Sequence, residues 1–286
     1  MWKGRQLRER AVLLRKKAVR LVRAEVSQPR LKQFLREMNG RPLVVLPRES
    51  PVSIALVVPC FRHAAYLPAA LESIDSQTRS PDEVIVVDDA SPDATGEILK
   101  AFVDRRRPAG CRYELLVNDT NLGQAASLNK GISAASSDLI MIVNDDDYLM
   151  HDAVETAFAV FGRHRDLALI GGFCVPFSGD EELRAAPKTT TAYGAPGPQL
   201  VIRRPEEVPG YRNYNDLNMI HSGSCFLRAS WGAVGGYYVD KRRRVVPFSD
   251  RDFQLRVNSV WPVAVASETP FALWRSGSSV DEGLNS

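Results

Sequence analysis

A chain of 286 residues, 44% hydrophobic and 25% charged, has an ordinary globular composition with room for one large domain and an appendage. No apolar run approaches the roughly 20 residues of a membrane span, and the basic N-terminus lacks the apolar core of a secretory signal. Cys60, Cys111, Cys174 and Cys225 stand far apart without a CxxC pair, which argues against a zinc site or a disulfide framework and fits a reducing cytoplasm.

The net charge of +3 hides an asymmetry. Residues 1–50 hold 14 Lys and Arg against 4 Glu, whereas the other 236 hold 23 basic against 30 acidic residues, a net of −7. Within the basic piece, Leu7, Ala11, Leu14, Ala18, Leu21 and Val22 share one helical face, and the pattern breaks near Pro29 and resumes over Leu31 to Met38. Residues 1–50 therefore read as a basic amphipathic helical extension with a linker. Each basic residue near an anionic surface is worth about 1 kcal/mol. Peripheral, salt-sensitive contact with the inner face of the cytoplasmic membrane is one expectation. Packing on the following domain, or self-association through residues 1–40, is the other. With no aromatic interleaving, nucleic acid is not an expected partner.

After the segment GRPLVVLPRESP, strands alternate with helices across a second domain, residues 51–286, whose halves divide near residue 150. Strands are predicted over Ile54–Pro59, Glu83–Asp88, Tyr113–Asn118 and Leu139–Asn144. Helices are predicted over Tyr66–Ser76, Ala94–Asp104, Gly123–Ala135 and Ala153–His164, the second started by Ser91 as N-cap and Pro92 at its first position. Such alternation implies an α/β domain with a mainly parallel, helix-flanked, Rossmann-like sheet. Neither GxGxxG nor GxxxxGK[ST] occurs, so the common backbone grips for phosphate are missing.

The strand ends carry the chemistry, because ligands of open α/β sheets bind at the carboxyl edge. Strand one runs into Phe61, strand two into Asp88 and Asp89, and the apolar run Ile140 to Val143 into Asn144, Asp145, Asp146 and Asp147. Adjacent carboxylates repel, and a hard divalent ion taking oxygen ligands relieves that repulsion. A solvated turn capping the next helix is the alternative.

In order and spacing, VVPCFRHAAYLPAALESIDSQT, EVIVVDDASPDAT, NLGQAASLNKGI and VNDDD resemble the family 2 glycosyltransferases of the GT-A fold, from about Ser53 to Arg256. The resemblance implies that Phe61 lies against the nucleotide base and that Asp89 accepts a hydrogen bond from a uracil-like ring N–H, with Asp88 structural. Both jobs suit the side chains. Asn121, Gly123, Asn129 and Gly131 match a loop and helix near the nucleotide, although relatives often carry Arg where this chain has Leu128. The family pattern D-x-D-D falls on Asn144 to Asp147. It assigns Asp146 to Mn2+ or Mg2+, Asp145 to the ribose or to the ion through water, and Asp147 to support. Farther on, GGYYVDKRRRVVPFSDRDFQLRV resembles the segment that carries the base, here Asp250, with Ser249 replacing a Glu and Asp252 as a competing helix-start carboxylate. The His that many relatives have after the last strand is missing from LWRSGSS, and His221 is a candidate facing the acceptor.

The activity so implied is inverting transfer of a sugar from a nucleotide donor, a UDP-sugar first, to the hydroxyl of an acceptor such as a lipid-linked one. Residues Pro176 to Asn215, which lack periodicity, read as the acceptor-facing region. Two other classes compete. A non-catalytic sugar-nucleotide-binding protein would explain the missing Glu, Asp and His. A metal-dependent nucleotidyltransferase would need a Gly-rich basic loop after strand one, which Phe61-Arg62-His63-Ala64 is not.

Overall fold

The computed structural model describes residues 30–31, 33–37, 46, 51, 53–106, 110–190, 198–205, 219–240 and 246–277. Apolar runs bounded by polar turns give β1 (Ile54–Cys60), β2 (Glu83–Asp88) and β4 (Leu139–Ile142), buried along their whole length as strands covered on both faces should be. Between them lie α1 (Leu67–Asp75), α2 (Thr95–Arg106), β3 (Arg112–Val117) and α3 (Gln124–Ala134). The second half adds β5 (Tyr148–Leu149), α4 (Ala153–Arg163), β6 (Leu169–Phe177), α5 (Asp180–Ala185), β7 (Leu200–Arg203), β8 (Cys225–Leu227), α6 (Arg228–Ala233), α7 (Ser249–Asn258) and β9 (Val263–Arg275).

One nine-stranded sheet runs in the order β3-β2-β1-β4-β8-β6-β9-β5, with β7 also on β9. The β3-β2-β1-β4 half is parallel, so the carboxyl ends of these strands share one rim. Beyond β4 the sheet is mixed, since β8 runs antiparallel to both β4 and β6, while β6 and β9 are parallel. The first half follows the alternation in the sequence. The mixed half rests on pairings too distant in the chain to be read from local pattern.

Helix α3 sits tightly on the parallel half. A Cβ at Gly131 would lie 2.6 Å from Val57 Cγ1 and 3.0 Å from Val87 Cγ2, so the missing side chain sets how closely helix and sheet approach. Leu128, one turn earlier, is fully buried.

One expected boundary shifts. Helix α2 begins at Thr95, not after Ser91, because Ser91 Oγ is taken by the Arg62 N–H (3.2 Å) and Asp93 Oδ1 accepts from the Thr95 N–H (3.2 Å). The Ser91 cap is thereby corrected to a tie between the β1 and β2 loops.

Residues of the predicted extension also reach the domain core. Residues 30–31 and 33–37 are helical, and Leu31, Phe34 and Leu46 are buried in the same cluster as β1 and α7. The Arg30 guanidinium lies 4.1 Å above the Tyr238 ring, and that of Arg256 in α7 lies 6.0 Å from the Phe34 ring. For this stretch the packing alternative holds; the apolar stripe Leu7 to Val22 lies outside the described residues. No helix among the described residues is long and apolar enough to cross a membrane.

Candidate active site

The rim is built by backbone first. Asp89 N–H donates to Cys60 O and Asn118 N–H to Asp88 O, each at 2.9 Å, which aligns the ends of β1, β2 and β3. Among the described residues three non-glycines have left-handed backbone: Arg62 (φ 58°), Ala90 (φ 58°) and Phe248 (φ 56°). They directly follow Phe61 and Asp89 and stand two residues before Asp250. Such conformations cost about 1–3 kcal/mol each and persist where surrounding structure imposes them. Here the ties are visible, from Arg62 N–H to Ser91 Oγ and from Ala64 N–H to Asp93 Oδ2, both 3.2 Å. Phe61 is half-buried at this edge. The adjacent Cys60 thiol is no nucleophile, because burial and then the charges of Asp145, Asp88 and Asp146 push its pKa well up.

The two carboxylates after β2 divide their labour. Asp88 Oδ1 accepts from the Ser91 N–H (3.0 Å), and its Oδ2 lies 2.8 Å from where a Gly96 Cβ would stand, so it packs on the first turn of α2. Asp89 is buried and fastens the next loop: Oδ1 takes Asn118 Nδ2 (2.7 Å) and the Leu122 N–H (2.8 Å), and Oδ2 takes the Gly123 N–H (2.8 Å). Oδ2 keeps acceptor capacity for one more donor. Gly123 has a φ of 87° where the chain turns into α3, a conformation open to glycine. Asn121 holds a buried Oδ1 without a protein partner among the described residues. The later motif residues are a correction, since Asn129 pins α3 to Trp231 and Tyr237 and Gly131 packs on the sheet. Buried Leu128 lies in the core as well.

The acidic loop after β4 is held from three sides. Asn144 N–H donates to Ser222 Oγ (3.1 Å), while Asn144 Nδ2 donates to Asp147 Oδ2 (3.0 Å), a bond that Asp in this place could not make. Arg275, the last residue of β9, gives its N–H to Asp147 Oδ1 (3.0 Å) and Nε to Asp146 O (3.2 Å). Its guanidinium lies 4.4 Å from the Tyr66 ring centroid and 4.6 Å from that of Phe177. Burial, and then the charge of Asp146, push Asp147 up to about 7. Asp145 accepts the Phe61 N–H on Oδ2 (3.0 Å) and meets His63 Nδ1 at Oδ1 (2.8 Å); burial raises its pKa and His63 opposes the rise. Its side chain is only 7% exposed, which leaves little surface for a ribose.

One ring nitrogen of His63 and one oxygen each of Asp145 and Asp146 lie within 4.8 Å of one another. Asp146 is the half-buried member. Nitrogen and carboxylate donors in this number fit a divalent ion that completes its shell with ligand oxygens.

Farther along the chain, the first turn of α7 sorts two aspartates. Asp252 is fully buried and ion-paired with Arg256 at 2.9 Å, and Arg256 also donates to Val234 O (2.6 Å) and Gly236 O (2.7 Å). Asp250 is half-buried. Ser249, where relatives have Glu, is buried. Near Asp250 lies a buried pair, His221 Nε2 and Tyr237 OH, 3.0 Å apart, with the Tyr237 ring stacked on Phe253 at 4.5 Å. Burial lowers the His221 pKa against the opposing charge of Asp250, and burial with the same charge raises that of Tyr237.

The pattern of Glycosyl transferase family 2 matches residues 55–230. The chain belongs to this family. It is 36% identical over 105 residues to the glycosyltransferase GlyG of Streptococcus pneumoniae, a match covering 37% of this chain and 34% of that relative. The chain thus spans about a third of the length of that relative. Among solved structures, S. aureus TarS 1-349 in complex with UDP-GlcNAc superposes with a TM-score of 0.58 at 17% identity, covering 80% of this chain and 60% of that one. The mannosyltransferase PcManGT of Pyrobaculum calidifontis, in complex with GDP-Man and Mn2+, gives 0.52 at 18%, covering 91% and 68%. At such identities the likeness is one of fold.

In this family 2 glycosyltransferase, Phe61, Asp89, Asn121 and Gly123 share the rim of β1 to β3, Asp145 and Asp146 the loop beside it, and Asp250 the start of α7. Sequence reasoning missed His63, Arg275 and Tyr237. A histidine two residues past Phe61 was the only local sign, and Arg275 stood where a histidine was sought.

Proposed function

We propose that this glycosyltransferase moves a sugar from a UDP-sugar to an acceptor hydroxyl with inversion, in the assembly of a polysaccharide, glycolipid or other glycoconjugate at the inner face of the cytoplasmic membrane. What carries the reading is the division of carboxylates between the strand-end rim and the start of α7. Asp89 and Asp146 lie on the side of the parallel strand ends, while on α7 Arg256 neutralises Asp252 and leaves Asp250 as the half-buried carboxylate. The UDP-GlcNAc complex of TarS and the GDP-Man and Mn2+ complex of PcManGT support a nucleotide-sugar donor and a divalent ion.

On this reading Phe61 offers a ring face to the base and Asp89 Oδ2 accepts the ring N–H of uracil. Asn121 and Gly123 line the same end. Asp146, with Asp145 beside it, holds Mn2+ or Mg2+, which when bound neutralises charge growing on the departing diphosphate. Asp250 accepts the proton of the attacking hydroxyl from the face opposite the leaving group. The buried His221–Tyr237 pair keeps the floor beneath Asp250 uncharged.

Transfer and donor hydrolysis measured with UDP-, GDP- and dTDP-sugars and Mn2+ test the proposal. Turnover of the UDP-sugar with inverted configuration in the product is expected; a donor that binds without turnover favours the non-catalytic alternative. Asp250→Asn should lower transfer at least about 100-fold while donor affinity stays nearly unchanged. Equal loss of both would make Asp250 a donor-binding or structural residue. Asp146→Ala should abolish turnover and metal-dependent donor binding with the fold intact.

A further inference from the structure

The end of β9 supplies Arg275 to the acidic loop, and Asn144 brings an amide where the family pattern has a carboxylate. By the resemblance, the first departure costs the ion a ligand and the second a negative charge. We infer that His63, from the loop after β1, is a direct ligand of the divalent ion together with Asp145 and Asp146. The assignment rests on the metal-dependent reading above and adds to it a protein nitrogen from the other side of the loop.

The geometry meets the spacing that ligation requires. His63 Nδ1 lies 2.8 Å from Asp145 Oδ1. Neighbouring ligands of an octahedral ion with bonds of about 2.1 Å stand about 3 Å apart. The pair therefore already has the spacing of adjacent ligands, joined by a hydrogen-bonding proton that must leave before an ion can sit beside both. On binding, that proton is exchanged for the metal and the neutral ring carries its hydrogen on Nε2.

The backbone presents the ring in advance. The Phe61 N–H donates to Asp145 Oδ2 at 3.0 Å, and left-handed Arg62 turns the chain between Phe61 and His63. His63 O accepts from both the Tyr66 and Leu67 N–H groups at 2.9 Å, which fixes its main chain to the start of α1. Its ring is tilted against Tyr66 with centroids 5.7 Å apart. Charge balance agrees: Asp147 is committed to Asn144 and Arg275, so a neutral imidazole adds a ligand without adding a charge to Asp145 and Asp146. An imidazole ligand also shifts preference toward Co2+ relative to Mg2+.

The test is Mn2+ binding by the full chain without donor, followed by electron paramagnetic resonance. His63→Asn is the informative variant, because its amide can still donate to Asp145 while the ring nitrogen is lost. Spin-echo spectra of Mn2+ on the wild type should show coupling to a directly bonded nitrogen. In the variant that coupling should vanish, Mn2+ affinity should fall at least about 10-fold, and the preference for Co2+ over Mg2+ should narrow. Bound Mn2+ without nitrogen coupling in the wild type would overturn the assignment and make His63 a positioning residue for Asp145. Wild-type protein that transfers sugar yet binds no Mn2+, alone or with UDP, would also overturn it while leaving the proposed activity standing. Nitrogen-coupled Mn2+ on a protein that turns over no donor would sink the activity and keep the ligand.

Discussion

Asn144 shows how one atom changes the demands on an acidic loop. Its amide donates to Asp147, whose carboxyl is already pushed up to about 7 by burial and by Asp146. Restoring the carboxylate of the family pattern with Asn144→Asp removes that donor and adds a charge. Hydrogen bonds to charged groups are worth about 1.5–3 kcal/mol, so at a pH above about 8, where Asp147 is ionised, metal-free stability should fall by at least about 1.5 kcal/mol. Denaturant unfolding with and without Mn2+ checks this: the variant should lose stability without metal and regain part of it with metal, and unchanged stability would refute the account. The residues of this loop were legible in the sequence because three carboxylates at a strand end have few uses. Their partners were not, since His63 lies 82 residues from Asp145 and Arg275 lies 128 from Asp147. Chemistry that a motif places on one strand end is completed here by side chains from other elements.

At the scale of elements, α3 illustrates a motif with two meanings. Leu122 and Gly123, just before it, donate to Asp89, whereas Asn129 and Gly131 are packing residues for Tyr237 and for the sheet. Gly131→Ala would press a methyl group to 2.6 Å from Val57 Cγ1, and overpacking of this kind costs about 1–3 kcal/mol. A shift of that size in the unfolding midpoint is expected; a neutral substitution would mean that the helix slides freely on β1 and β2. The strands of the parallel half were predicted to within about two residues because β1, β2 and β4 are buried apolar runs between turn residues. Strands β5 and β8, two and three residues long, carry no such period and owe their existence to β9 and β4. The start of α2 was misplaced for a related reason: Ser91 suits a cap, but a neighbouring loop competes for its hydroxyl and wins.

For the whole molecule, the question is where the catalytic domain begins. Leu31, Phe34 and Leu46 are buried in its core, and fully burying such side chains contributes roughly 1.5–3 kcal/mol each. A chain starting at residue 53 should therefore unfold at lower denaturant than one starting at residue 30, which should match the full chain; equal midpoints for all three would refute the docking. Residues 1–29 keep nine Lys and Arg against two Glu. If they attach the enzyme to anionic lipid, only the full chain sediments with anionic vesicles at low salt, and a Debye length of about 8 Å at 0.15 M explains its release as salt rises. Sedimentation of the chain starting at residue 30 would move the attachment elsewhere.

The grip of Arg275 on the acidic loop also sets an order of events. Bonds that shape the rim of β1 to β3 join residues 29 to 34 positions apart, whereas those that Arg275 makes to the acidic loop reach across 128 and 129. A loop four times longer costs about 1 kcal/mol more to close, and distant contacts form late. During refolding from denaturant, uridine-nucleotide binding should return before Mn2+ affinity, which stopped-flow measurements with each ligand would resolve; simultaneous recovery would refute the order. On the proposed function, a chain caught between those two moments has a place for the nucleotide and no means of turning it over.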